Sequence, residues 1–180
     1  MTRYVAFLRA INVGGHVVKM DRLRSLFEDL GLSAVETFIA SGNVAFETRA
    51  KSERALEEKI ARHLRESLGY DVGTFLRSAG ELAAIARHPP VAAAELEAPG
   101  RTLYVAFLPG PASAEAQGRL LAIPTEIEEF RFHGREIYWL LRERLTESRF
   151  SGPLLEKTIG MPATVRNVNT VRKIAAKYCA

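Results

Sequence analysis

The sequence predicts an α+β fold in which one strand–helix–hairpin–helix–strand motif is used twice, with an extra helix closing each copy. Three observations predict it. The segment Tyr4-Val5-Ala6-Phe7-Leu8 returns letter for letter as Tyr104-Val105-Ala106-Phe107-Leu108. The elements that follow each copy agree in kind and order. Both segments are apolar on their two faces, a pattern of strands covered on both sides.

In the first copy, Met20, Leu23, Phe27 and Leu30 recur at helical spacing and Gly31 stops the run. Residues 35–40 and 43–47 then flank Ser41-Gly42 as a hairpin. Ser52 caps a second helix with Leu56, Ile60, Leu64 and Leu68 on one stripe, ended by Gly69. Residues 72–76 read as a strand, and 81–87 as a short helix halted before Pro89-Pro90.

The second copy repeats this order. Ser113 caps a helix that stops before Pro124, and residues 127–132 and 136–141 flank His133-Gly134. Pro153 suits the first turn of a helix ending at Gly160, Thr164 to Arg166 is a short strand, and Asn169 caps a final helix. A βαββαβ order with right-handed crossovers is ferredoxin-like, with strand order 4-1-3-2 and both helices on one face. The expectation is therefore a tandem duplication of a ferredoxin-like motif packed as one compact body: 1–88, a connector 89–100, and 101–180. Strands one and three are expected to run parallel, which would put the 41–43 tip and the 10–19 loop at opposite ends of their copy.

With these segments in place, the chain resembles the bacterial family called domain of unknown function 1697, nearly end to end. The resemblance rests on Leu8-Arg9-Ala10-Ile11-Asn12-Val13-Gly14-Gly15 before Lys19-Met20, on Ser41-Gly42-Asn43-Val44, on Glu156-Lys157, and on Ala163 to Thr170. The family pattern often carries an aromatic where Val168 stands. The resemblance implies a fold and a cytosolic bacterial context, and no established activity.

Composition narrows the function classes. The chain has 180 residues, 47% apolar and 26% charged, ordinary globular values. No apolar run approaches the ~18–20 residues of a spanning helix, and the N-terminus enters a strand without a signal-peptide pattern, so a cytoplasmic location and no membrane partner are expected. The single cysteine, Cys179, forms no internal disulfide, and the histidines His16, His63, His88 and His133 lack ligand spacing, so neither metal nor cofactor is expected. The net charge of +4 is uneven: residues 1–27 carry +4 and 157–180 carry +5, leaving −5 between them. Basic ends suggest an anion-binding face, although solvated surface charge accounts for them too.

Two segments are candidate ligand sites. Residues 10–19 make an unusually long strand–helix connection. Gly14 and Gly15 let the backbone aim amides at an anion, with Arg9, Asn12 and Lys19 beside them. It is neither a Walker loop nor a dinucleotide fingerprint, and paired glycines often only make a turn. The second is Arg166, Asn167 and Asn169 with Lys173, donors suited to phosphate or carboxylate, although capping explains Asn169 equally well. Ser41-Gly42-Asn43 reads as a turn. No Gly-x-Ser-x-Gly elbow is present, and no catalytic residue is identified. The readings are a binder of, or enzyme acting on, a small anionic molecule; a protein-interaction or structural role, with oligomeric state open; and single-stranded nucleic-acid binding, disfavoured by covered sheet faces.

Overall fold

The computed structural model describes residues 1–88, 93–143, 148 and 150–180. Pro89-Pro90 and the start of the connector lie outside them. The chain divides into two compact units, Met1–Ile85 with Ile174–Ala180, and Ala86–Lys173.

The first unit runs β1 (Thr2–Leu8), α1 (Met20–Glu28), β2 (Ser33–Thr37), β3 (Asn43–Thr48), α2 (Glu53–Leu68), β4 (Thr74–Ser78) and α3 (Ala79–Arg87). Its sheet has the order β2-β3-β1-β4. Local chemistry sets the helix ends: Ser52 Oγ accepts from Ala55 N at 3.2 Å, and Gly69 closes α2 at φ 83°. The stripe Leu56, Ile60 and Leu64 is buried against Ala6, Leu8, Phe27 and Phe46. Each such side chain contributes about 1.5–3 kcal/mol on burial.

The second unit holds α4 (Ala93–Glu97), β5 (Thr102–Phe107), α5 (Ala114–Leu121), β6 (Glu128–His133), β7 (Glu136–Leu141), α6 (Gly152–Ile159), β8 (Thr164–Asn167) and the start of α7 (Val168–Tyr178), whose last turns belong to the first unit. Its sheet is β6-β7-β5-β8, the same order. Two four-stranded antiparallel sheets with seven helices among the described residues make an α+β fold.

Registers correspond across the units. Tyr4 faces Phe46 and Ser78, as Tyr104 faces Trp139 and Asn167; Val5 faces Arg77, as Val105 faces Arg166. In β1 and β5, Ala6, Leu8 and Ala106 join the helix-side cores, while Val5, Phe7, Val105 and Phe107 are buried on the other face.

Two expectations need correction. Strands β1 and β3 are antiparallel, with Phe7 opposite Asn43. A helical crossover returns β2 parallel to β1, and the hairpin then reverses β3, so β3 starts where β1 ends. Segment 41–43 therefore meets the 9–19 loop directly, with Leu8 N donating to Gly42 O at 2.8 Å. The cap of α7 is also Asn167, not Asn169: the Asn167 Oδ1 accepts from Asn169 N at 2.8 Å. The strand ends one residue later than its apolar pattern suggests, which moves the helix start upstream.

Candidate functional site

In the first unit, the end of β1 is fastened on both sides. Arg9 N donates to Gly73 O at 2.8 Å, and Asn12 ties the following loop to the β2–β3 connection. Its Nδ2 donates to Ala40 O at 2.9 Å while its Oδ1 accepts from Val18 N at 2.7 Å. Left-handed conformations crowd these segments: Ala10 (φ 68°), Asn12 (φ 55°), Gly14 (φ 60°), Gly15 (φ 83°) and Ile39 (φ 49°). Asn and Gly tolerate this region; for Ala10 and Ile39 it costs about 1–3 kcal/mol each, so the surrounding bonds must hold them there. Asn43, itself buried, donates to Phe38 O at 3.0 Å and to Ser41 Oγ at 2.9 Å, closing the β2–β3 connection. Gly14 and Gly15 are exposed, with open space where a side chain would stand. Lys19 is exposed at the N-cap of α1 and makes no capping bond. The His16 ring stacks on Tyr70 at 3.8 Å.

In the second unit, a cleft of about 270 Å³ opens at the start of α7, lined by Glu97, Arg101, Thr102, Asn167, Asn169 and Arg172 over an apolar floor that includes Leu103 and Val168. The Nη1 of Arg101 donates to Arg142 O at 2.8 Å, while its Nε is buried with no hydrogen-bond partner among the described residues. Arg172 and Asn169 are exposed. Arg142 is itself held by Glu95 at 2.8 Å and Glu129 at 2.5 Å, hydrogen bonds that raise its guanidinium above the usual range.

The corresponding helix of the first unit starts differently. Ser78 N donates to Glu81 Oε2 at 2.9 Å, and Glu81 N donates to Ser78 Oγ at 3.3 Å, a capping box. That carboxylate offsets the positive end of α3. The first turn of α7 has no acid; its Asn169 N–H is taken by Asn167 Oδ1, and Arg101 and Arg172 line the cleft beside this helix start. Amide donors and two guanidinium groups over a small apolar floor suit an anion.

Of the residues singled out in the sequence, Asn167 and Asn169 line this cleft, and Arg166 and Lys173 do not. Arg166 donates to Thr164 Oγ1 at 2.8 Å and Val165 O at 3.0 Å, and desolvation pushes its guanidinium down to about 10. Lys173 is exposed on α7. Arg9, Asn12, Gly14, Gly15 and Lys19 gather in the first unit's loop. Sequence reasoning missed Arg101, Thr102, Glu97 and Arg172. Arg172 had a signal, since it stands three residues after Asn169 on a helix and shares its face; Arg101, after the connector, had none.

Two further cavities have other chemistry. One of about 640 Å³ is largely apolar, lined by Ile123, Pro124, Ile127, Phe150 and Leu154, with Glu128 accepting from the Thr125 and Ser148 hydroxyls. The other, about 330 Å³, lies between Leu30–Leu32 and the start of α2. Among the described residues, no group of three or more His, Cys, Asp or Glu is placed to hold a metal, and no helix is long and apolar enough to cross a membrane.

A family model described as "Protein of unknown function (DUF1697)" matches residues 1–138. No curated protein matches the chain significantly. Among solved structures, the chain is similar to the conserved bacterial protein SP0830 from Streptococcus pneumoniae, at 26% identity and a TM-score of 0.74 over 98% of both chains.

Proposed function

The chain belongs to the DUF1697 family of proteins of unknown function, and from that premise we propose that it binds a small anionic molecule, carrying phosphate or carboxylate, in the cleft at the start of α7. The observation that carries this reading is the meeting of Arg101, Arg172, Asn167 and Asn169 with a helix start that lacks an acid. Glu97 at the rim favours a ligand that also presents a hydrogen-bond donor, such as a hydroxyl or amine. Single-strand nucleic-acid binding is less well supported, because Phe7 and Phe107, on the sheet faces away from the helices, are fully buried.

We also read the two units as a tandem duplication of a ferredoxin-like motif. The matched strand orders support it, as do the paired tyrosines Tyr4 and Tyr104 and the arginines Arg77 and Arg166 at equivalent register positions. On this reading one copy closed its last helix with Glu81, and the other left it open for a ligand.

Native mass spectrometry of the purified protein, followed by thermal-shift measurements across phosphorylated and carboxylated metabolites, tests the binding proposal. Replacing Arg172 or Arg101 by Ala is expected to weaken a hit about ten- to hundredfold, the loss of one charge-assisted hydrogen bond of about 1.5–3 kcal/mol. No shift with any anion, or an unchanged shift in the Arg101→Ala/Arg172→Ala double variant, would overturn it.

A further inference from the structure

We propose that the paired loops 9–19 and 38–43 of the first unit form a docking surface for an acidic protein segment that carries aliphatic side chains. This goes beyond the anion reading and uses none of the cleft's residues. Five large hydrophobic side chains are exposed among the described residues, and three stand on these two loops: Val13 (56%), Val17 (83%) and Ile39 (55%). Single exposed apolar residues are common on protein surfaces; a gathered set marks an interaction site.

The gathering has a physical cause in Asn12. Its amide bonds to Ala40 O and Val18 N, the neighbours of Ile39 and Val17, and Val13 follows it in the chain. One side chain thus sets the spacing of all three. Close approach of the loops is secured again at Gly42, whose backbone passes against Leu8 and Ile11. Of the four non-glycine residues with positive φ among the described residues, three (Ala10, Asn12 and Ile39) lie in these loops. Backbone strain of this kind persists where the surrounding structure over-determines it, and it clusters at functional surfaces. The loops are held in shape before any partner arrives, which lowers the entropy lost on binding.

Charge and side-chain type select the occupant. Lys19 and Arg22 are exposed and have no ion-pair partner among the described residues, while Arg24 is paired with Glu28. An acidic partner complements them, and the same surface of a second copy would be repelled. The apolar contacts are Val and Ile, and the His16 ring is already stacked on Tyr70. Phe38, the other ring on these loops, packs edge-on against Tyr178, so both rings are already engaged, whereas nucleobases stack on open aromatic platforms.

The test is selection from a random-peptide display library on the full-length protein, with counterselection against the Val17→Asp/Ile39→Asp double variant. Enriched peptides are expected to combine Asp or Glu with Leu, Ile or Val. As synthetic peptides they should bind the variant at least about tenfold more weakly, and weaken with Lys19→Ala or rising salt. Val17→Ser/Ile39→Ser replaces the variant if its thermal melt shows it does not fold. Peptides lacking that signature, or binding both forms equally, overturn the proposal. So does self-association, or binding to a single-stranded oligonucleotide or to anionic phosphatidylserine vesicles, that the wild type shows and the variant loses. Because the cleft residues are unaltered, failure here leaves the anion reading standing.

Discussion

Gly42 has a φ of 78°, and a Cβ added there would lie 3.1 Å from the Cβ atoms of both Leu8 and Ile11. Two penalties therefore coincide: a left-handed backbone and a contact that fixed neighbours must yield to. Gly14 has a φ of 60° but open space around it. Gly42→Ala is expected to lose about 1–3 kcal/mol in urea unfolding, and Gly14→Ala only about 1 kcal/mol. Equal losses would mean that the loops do not approach as closely as the structure has them. At this scale the sequence was partly legible. The glycines of 10–19 and 41–43 announced turns, whereas the double use of Asn12 depends on Ala40, twenty-eight residues away. No local pattern carries that pairing.

The starts of α3 and α7 show how an element's end can be kept for structure or left for function. In α3 a serine and a glutamate satisfy each other's backbone; in α7 only Asn167 does so. Asn167→Ala is expected to cost about 0.5–2 kcal/mol of stability, and Asn169→Ala close to nothing, by chemical denaturation. The reverse order would restore Asn169 as the cap. The hairpin end of β6 carries a pH effect. His133 stacks on His88 at 4.0 Å, and burial first, then the charge of His133, lowers the His88 pKa below its usual 6.5. A folded-state value below the unfolded one means stability present above about pH 6.5 and lost as pH falls through the folded value. Unfolding free energy should thus decline on acidification below that point, and His88→Asn should flatten the decline. An unchanged slope in that variant would remove His88 from the account.

For the whole molecule, periodicity and repetition were enough to read the elements of the two repeated motifs, the strand order and most caps, because those follow from local spacing and backbone chemistry, whereas helix α4 (Ala93–Glu97) inside the expected connector was not foreseen. Strand direction was misjudged, and with it the meeting of the 9–19 and 38–43 loops, although the crossover rule contained the answer. The division of α7 was not legible: Ile174–Ala180 joins the first unit, where Lys177 pairs with Glu36 at 2.9 Å and Tyr178 packs edge-on against Phe38. Deleting residues 174–180 should therefore strip amide-exchange protection from β2 and its pairing with β3, while the β6–β7 hairpin keeps its own. Loss confined to the second unit would contradict that division. The cleft was half visible, since Asn167 and Asn169 sit in one motif while Arg101 comes from sixty-six residues upstream of Asn167.

An NMR titration of the full chain with inorganic pyrophosphate tests the anion site most directly. The account predicts saturable shifts at the backbone amides of Val168 and Asn169, the Asn167 side-chain amide and the Arg101 Nε–H, weakening as salt rises and abolished in Arg101→Ala/Arg172→Ala. Diffuse shifts over many lysines and arginines, or none at the start of α7, would contradict it.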